Sequence, residues 1–356
     1  MSQSTVQIAL ADICEQTLAQ IFAIEKSNVT HPIPFKISDD ILIVGEQLIT
    51  NSSVSFVQSM DGLAIDSTNE AYTLVVFDNI SLGFLNTLGK ECGIKIKSLS
   101  AINHRNHRTS YRFQIQTQDL EIARAALVTF SLNNQIEAAI LQHTPKLSEP
   151  GLLVMDMDST TIKIECIDEI AVLAGVGEQV AEVTELAMQG KLDFSQSLYQ
   201  RVATLKDAPE TILEDVAKNI PLMEGLKTLI TELKKYNWKI AIASGGFTYF
   251  SEHLQQLLGL DDTFANTLEI IDGKLTGKVL GNVVDAQVKA DSLSILSDKY
   301  QIPKNQTVAM GDGANDLIMM DAASLGVAYK AKPIVLKKAD TCINHSGLDC
   351  MLHWLS

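Results

Sequence analysis

The sequence predicts an α/β protein built on a doubly wound sheet, with a smaller α+β region ahead of it. Three observations carry this. From Gly151 onward, apolar strand-like runs alternate with helical stretches. Between the first and second of those strands lies a long insertion, about 164–219, almost all helical in period. Ahead of them, residues of about 69–143 read in the order βαββαβ, which fits a ferredoxin-like sandwich.

The elements follow in chain order. Residues 1–68 yield no functional reading. Ala9 to Ala23 has apolar residues at helical spacing, and Ile41-Leu42-Ile43-Val44 reads as a short strand. Tyr72 to Phe77 reads as a strand, Leu82 to Cys92 as a helix, and Ile94 to Ile102 with Tyr111 to Thr117 as a strand pair. Leu120 to Phe130 reads as a helix and Ile136 to Leu141 as a last strand. His104, Arg105, His107 and Arg108 cluster between two of these strands. Two histidines three apart suit a metal, yet a solvated hairpin loop is the commoner reason for such a cluster. Residues 144–150, with two prolines and little apolar content, read as a linker. The remainder, 151–356, is the large domain. Within it Leu268 to Leu275 carries Asp272-Gly273 between alternating runs, a hairpin signal.

Composition narrows the function classes. Hydrophobic content of 46% with 20% charged residues describes a folded globular chain rather than a disordered one. The net charge of −15 argues against nucleic acid or an anionic membrane as partner. Cys14, Cys92, Cys166, Cys342 and Cys350 are odd in number and show no C-x-x-C spacing, so a zinc site or disulfide framework is not expected. No apolar run reaches membrane-span length, and the N-terminus lacks a basic segment followed by an apolar one. A cytoplasmic protein is expected.

Four stretches carry chemistry. Asp156-Met157-Asp158-Ser159-Thr160 follows the apolar run Leu152-Leu153-Val154-Met155. Two carboxylates one residue apart at a strand end are costly unless something positive binds them, and hard oxygen ligands suit Mg²⁺. A turn or a helix cap is the plainer reading of that pair. Ser244-Gly245-Gly246-Phe247 follows Ile240 to Ala243 and leaves backbone N–H groups free to face an anion. Lys289 lies in a helix-like stretch. Gly311-Asp312-Gly313-Ala314-Asn315-Asp316 follows Thr307 to Met310, with two further carboxylates four apart. Each piece alone is an ordinary loop, surface charge or turn. In open α/β sheets ligands bind beyond the carboxyl ends of the strands, so Asp156, Ser244 and Asp312 would converge.

In this order the four stretches resemble the signature motifs of the haloacid dehalogenase-like phosphohydrolases, whose core is Rossmann-like. From Gly151 to about Lys332 the chain resembles, within them, the phosphoserine phosphatase family. Glu165 to Ala171 and Gly190 to Val202 resemble that family's substrate-selecting cap. The resemblance implies Mg²⁺-dependent hydrolysis of phosphoserine through an aspartyl-phosphate, the last step of serine biosynthesis. Asp156 would be the nucleophile and Asp158 the general acid and base. Mg²⁺ would be held by Asp156, the backbone carbonyl of Asp158 and Asp312, with Asp316 and Asn315 completing the shell or meeting substrate. Ser244, Gly245 and Lys289 would bind the phosphoryl group. Glu165 would take an ammonium and Arg201 a carboxylate. Thr160 would orient the loop, while Met188 and Phe194 would exclude water, although both suit plain core packing. The region 69–143 resembles an ACT domain, with Asp78-Asn79-Ile80-Ser81-Leu82-Gly83 where that family has a Pro-Gly turn. A homodimer through the N-terminal region is compatible with that likeness. Two rival functions stay open at this point: a phosphatase or phosphotransferase acting on another small phosphate ester, and a non-catalytic amino-acid sensor.

Overall fold

The computed structural model describes residues 5–17, 20, 32–38, 41–45, 57–59, 72–77 and 80–356. The chain forms two units. One comprises residues up to 143 with 340–345 and 351–354; the other comprises 144–339 with 346–350 and 355–356.

In the first unit, β1 (Thr5–Ala9), β2 (Ile33–Ser38), β3 (Ile41–Gly45) and β4 (Val57–Ser59) precede β5 (Tyr72–Phe77), α1 (Leu82–Glu91), β6 (Ile94–Arg105), β7 (Arg108–Thr117), α2 (Leu120–Asn134) and β8 (Ala138–Leu141). The start of β6 shows why a sheet forms. Ile94 and Ile96 are buried while Lys95 and Lys97 are exposed, a period of two with one apolar face. Strands β6-β7-β5-β8 are adjacent in that order, the ferredoxin-like arrangement expected from the sequence. Leu74, Val76, Leu85, Leu88, Phe113, Leu127 and Phe130 fill one core between the sheet and both helices. The sheet does not stop at β6. Strand β2 pairs with it through Ile33↔Leu99 and Pro34↔Ser98, and β3, β1 and β4 continue outward. The two N-terminal segments thus share one eight-stranded sheet, which covers the edge that β6 would otherwise present.

The helical period read over Ala9 to Ala23 is not realised at its start. Thr5–Ala9 is a strand and Leu10–Asp12 a single 3-10 turn. Residues 18–19 and 21–23 lie outside the described set, as do Asp78 and Asn79. The His104–Arg108 stretch is a tight hairpin turned by Asn106 and His107, both with positive φ. His104 Nδ1 bonds Thr109 Oγ1 at 2.9 Å, and no metal-ligand cluster lies there among the described residues.

The second unit holds β9 (Leu152–Met155), the helices α3 (Cys166–Leu173), α4 (Gly177–Met188), α5 (Phe194–Thr204) and α6 (Thr211–Lys218), then α7 (Leu226–Lys235), β10 (Lys239–Phe247), α8 (Thr248–Leu258), β11 (Asp262–Ile271), β12 (Lys274–Leu280), α9 (Ala286–Tyr300), β13 (Thr307–Gly311), α10 (Leu317–Ala322) and β14 (Leu325–Tyr329). Its strands lie in the order β12-β11-β10-β9-β13-β14. Strands β11, β10, β9, β13 and β14 run parallel, and β12 returns antiparallel through the Asp272-Gly273 turn. Every residue of β9, β13 and β14 is buried, as parallel strands covered on both faces must be.

The chain leaves central β9 toward β10 on one side and later returns to β13 on the other. The order therefore reverses beside β9, where such sheets bind ligands. Register brings the motifs level. Met155 is opposite both Ile242 and Met310, so Asp156, Ser244 and Asp312 emerge within one residue of each other at the same edge.

Helices α3 to α6 form the expected cap. The hairpin supports it: Asp207 N donates to Leu275 O at 2.8 Å, Glu210 N to Gly273 O at 2.9 Å, and Leu275 N to Ala208 O at 2.9 Å. The segment read as a linker is a fixed strap on this unit. Gln306 bonds Lys146 at both backbone groups, Trp238 Nε1 donates to Leu147 O at 3.1 Å, and Leu147 N donates to Ser356 O at 3.0 Å. The C-terminal stretch is divided rather than wholly part of the large domain. Residues 340–345 and 351–354 join the first unit, where Glu137 accepts from His345 N at 2.6 Å and Arg112 donates to His353 O at 3.0 Å. Among the described residues no helix is long and apolar enough to cross a membrane.

Candidate active site

The strand-end loop after β9 is held before any ligand arrives. Asp156 N donates to Met310 O at 2.9 Å, and the Thr161 hydroxyl donates to Asp156 O at 2.6 Å. The Asp156 carboxylate is nearly buried. Its Oδ1 accepts from Met157 N at 2.7 Å and pairs with Lys289 Nζ at 2.9 Å. Lys289 is fully buried beneath the pocket and also reaches Asp316 Oδ1 at 2.7 Å. Burial alone would lower the Lys289 pKa, but Asp156 and Asp316 outweigh it and raise it, so the ammonium stays charged. The second Asp316 oxygen accepts from Gly313 N at 3.0 Å.

Asp158 differs from Asp156. It is partly buried, its Oδ1 accepts from Cys166 N at 3.2 Å, and no cation pairs with it among the described residues. Loss of water, then Glu165 and Asp156, push its carboxyl up to about 8. Two carboxyls two residues apart thus sit in opposite surroundings, Asp156 paired with a lysine and Asp158 without a cation and with its pKa raised.

Asp156, Asp312 and Asp316 place carboxylate oxygens within 4.8 Å of one another. Asp312 accepts from the buried Thr160 hydroxyl at 3.3 Å, and burial followed by Asp156 raises its pKa. Burial and then Asp156 raise Asp316 too, against the pull of Lys289. One lysine does not neutralise three clustered carboxylates. Hard, closely spaced oxygen donors with surplus negative charge fit Mg²⁺. The Asp158 side chain is outside this cluster, so only its backbone could join it.

A pocket of about 200 Å³ lies above these groups, lined by Asp156, Asp158, Glu165, Phe194, Arg201, Ser244, Gly245, Asp312 and Asn315, among others. Ser244 is buried and accepts from Gly246 N at 2.9 Å. The glycines here are dictated by close approach. A Cβ on Gly245 would lie 2.5 Å from Phe194 Cζ, and one on Gly246 would lie 2.6 Å from Met157 Cε and 2.9 Å from Asp158 Oδ2. Phe194 therefore carries the cap down onto the Ser244–Phe247 loop.

The cap supplies two further charges. Arg201 stands in the last turn of α5, and its Nε is buried without a hydrogen-bond partner. Burial lowers its pKa, with Asp168, Glu165 and Asp158 opposing. Glu165 accepts from Ser159 Oγ at 2.8 Å. Its pKa is raised, first by loss of water on its inner side and then by Asp312, Asp156 and Asp168, with Ser159 opposing; its outer flank stays exposed.

Most of the residues singled out in the sequence converge on the pocket or its floor. Met188 does not: it ends α4 at 72% exposure and is not part of the lining. Lys332, Ile167, Leu198 and Phe247 line the pocket without having been singled out. Lys332 had a readable signal, since it comes shortly after β14 at the same strand edge.

Fold and strand-end carboxylates together define a haloacid dehalogenase-like hydrolase, and the model of that family matches residues 151–324. The chain is 60% identical over 214 residues to the phosphoserine phosphatase of Vibrio cholerae, covering 60% of this chain and 65% of the relative. It is 56% identical over 229 residues to that of Haemophilus influenzae, covering 64% of this chain and 73% of the relative. A solved structure of a probable phosphoserine phosphatase from Vibrio cholerae, in unliganded form, aligns with a TM-score of 0.68 at 46% identity, covering 80% of this chain and 86% of that one. The chain belongs to the haloacid dehalogenase-like hydrolases, and within them to the phosphoserine phosphatase family.

Proposed function

We propose that this chain hydrolyses O-phospho-L-serine to serine and phosphate through a phosphoaspartate on Asp156. The observation that carries the reading is the arrangement around that carboxylate: Oδ1 is fixed by Lys289 and Met157 N, Oδ2 has no partner among the described residues, and Asp156 lines the pocket.

Asp156 Oδ2 attacks phosphorus as the bond to the serine oxygen breaks. Asp158 gives its proton to the departing alkoxide, a poor leaving group without one. The resulting Asp158 carboxylate then takes a proton from water. The hydroxide attacks phosphorus, the bond to Asp156 breaks, and both carboxyls return to their starting states. Ser244 and the adjoining backbone N–H groups receive the phosphoryl oxygens, and Lys289 fixes the nucleophile from below. Asp156, Asp312 and the Asp158 backbone, with Asp316 and Asn315 in support, would hold Mg²⁺, which would supply the charge neutralisation that lets an anionic carboxylate meet an anionic phosphate.

Recognition of the amino acid rests on the cap. The unpartnered Arg201 Nε suits the substrate carboxylate, and Glu165 suits its ammonium. Phe194 shields the reacting centre. Thr160 fixes Asp312, and Met188 does not line this pocket.

The test is Mg²⁺-dependent phosphate release from L-phosphoserine beside phosphothreonine, glycerol phosphate and an aryl phosphate. A strong preference for phosphoserine is expected. Turnover of the others with little of phosphoserine would keep the chemistry and discard the substrate.

A further inference from the structure

We infer that Ser159 is a positioning residue for substrate selection: its hydroxyl locks the Glu165 carboxylate so that one oxygen is presented to the ammonium of an amino-acid phosphate. The inference rests on the reading of Glu165 as the ammonium partner.

Three observations converge. Ser159 has a φ of 57°, in the left-handed region that side-chain-bearing residues seldom adopt. A backbone held in that region at a site loop points to a role for the side chain it aims. The surrounding loop imposes the conformation. Thr161 N and Ile162 N both donate to Met157 O, at 2.8 and 3.0 Å, while Lys163 N donates to Pro221 O at 2.9 Å. Ser159 N itself donates to Ile164 O at 3.4 Å, so the tip is bonded on both sides.

The hydroxyl so aimed donates to Glu165 Oε1 at 2.8 Å. Oε2 has no partner among the described residues. Glu165 occupies the N-cap position of α3, yet makes no side-chain cap bond. The first free N–H of that helix, on Cys166, is taken by Asp158 instead, at 3.2 Å. Glu165 is thus relieved of the local task its position would assign, and Ser159 is what fixes it. Without that bond a half-exposed glutamate on a helix end would sample several rotamers. An ammonium would then meet a carboxylate that it must first order.

The geometry makes Ser159 specific to one part of the substrate. It lies on the recognition side and makes no bond to Asp156, so its loss should weaken selection for the amine without altering phosphoryl transfer.

The test compares Ser159→Ala and Ser159→Gly on L-phosphoserine and on its desamino analogue, 3-phosphohydroxypropionate. Glycine accepts positive φ freely, so the second variant keeps the loop and removes only the hydroxyl. Both variants should lose about five- to tenfold in kcat/KM on phosphoserine, carried by KM, and stay within about twofold on the desamino ester. An equal loss on both esters would show a merely structural role. Retained preference in Ser159→Gly would show that the hydroxyl does nothing. A wild-type enzyme with no preference between the two esters would remove the Glu165 reading and this inference with it, before any variant is made.

Discussion

Both units bury charge, but they satisfy it differently. In the catalytic unit Lys289 is enclosed with two carboxylates, and a third stands close by. In the N-terminal unit the buried Arg112 donates to the carbonyl oxygens of His353 and Trp354, and the buried Glu137 accepts from Asn344 N and His345 N. Backbone groups carry no net charge and cannot change protonation. Charges bonded to them fasten chain segments and do little else. Clustered carboxylates are unstable as ions, and some must hold protons or find a cation. That difference separates a reactive centre from a structural clasp.

The largest effect that would break this contrast is on Asp156. Asp156→Asn keeps the shape and one acceptor but is a far weaker nucleophile, so turnover should fall by on the order of 10⁴-fold with the fold retained. Steady-state rates beside thermal melting check both halves. Substantial remaining turnover would move the nucleophile elsewhere.

Next is Lys289→Met. It leaves Asp156 and Asp316 buried without their cation, and breaking such a pair costs about 3–5 kcal/mol. Activity should vanish as well. Arg112→Met should also lower stability, yet leave kcat of the folded fraction unchanged. Denaturant unfolding and kcat on both variants sharpen the comparison, and an Arg112→Met enzyme with altered kcat would contradict it.

The third effect is confined to the N-terminal unit. His353 is fully buried, with Nε2 bonded to Arg105 O at 3.1 Å and Nδ1 to Ser110 Oγ at 2.8 Å. A carbonyl only accepts, so Nε2 carries the proton and Nδ1 accepts from the serine. Burial first, and then Arg105, Arg108 and Arg112, lower the His353 pKa to about 4, against the bond to Arg105 O. The ring is therefore neutral when folded and takes a proton when unfolded. Its contribution to stability is full above about 6.5, is lost as pH falls toward about 4, and amounts to about 3 kcal/mol across that window. Hydrogen exchange in β6 and β7 should accelerate on acidification in the wild type and much less in His353→Gln. Equal acceleration in both would assign acid sensitivity to other groups.

What was legible beforehand follows the same division. Asp156, Ser244 and Asp312 could be read because each directly follows an apolar run that a parallel sheet must bury, and the strand-end rule then gathers them. Lys332 obeys the same rule but is an exposed lysine before a proline, so no hydrophobic pattern marks it. Met188 is on α4, where Val180 is the only buried residue named, so helical spacing could not say which way it faces. Ser159 was hidden for another reason: serine has no preference for positive φ, and only the loop's backbone bonds impose it. The clasp of 340–345 and 351–354 depends on Glu137 and Arg112, two hundred residues away, and no local period records a contact of that kind.

The smallest effect bears on Asp158 and tests whether its proton is used. A carboxyl raised to about 8 is protonated at neutrality and ionises as pH rises. Phosphoserine turnover should therefore fall with rising pH through about 8, approaching about tenfold per unit, because a serine alkoxide needs the proton. An aryl phosphate leaves as a stable phenolate and does not need it, so its rate should be much flatter over the same range. Stability runs the same way for a different reason. The unfolded carboxyl ionises from about 3.8 upward while the folded one stays neutral, so the contribution of Asp158 to stability is most favourable below about 3.8 and declines as pH rises to about 8. Asp158→Asn should then melt above the wild type at pH 8 while turning over phosphoserine poorly. A variant that gains stability and loses only the reaction with a poor leaving group would mean that the catalytic unit keeps Asp158 for its proton. Parallel pH profiles for the two esters would instead place the limb on substrate binding or on Asp312, whose pKa burial also raises.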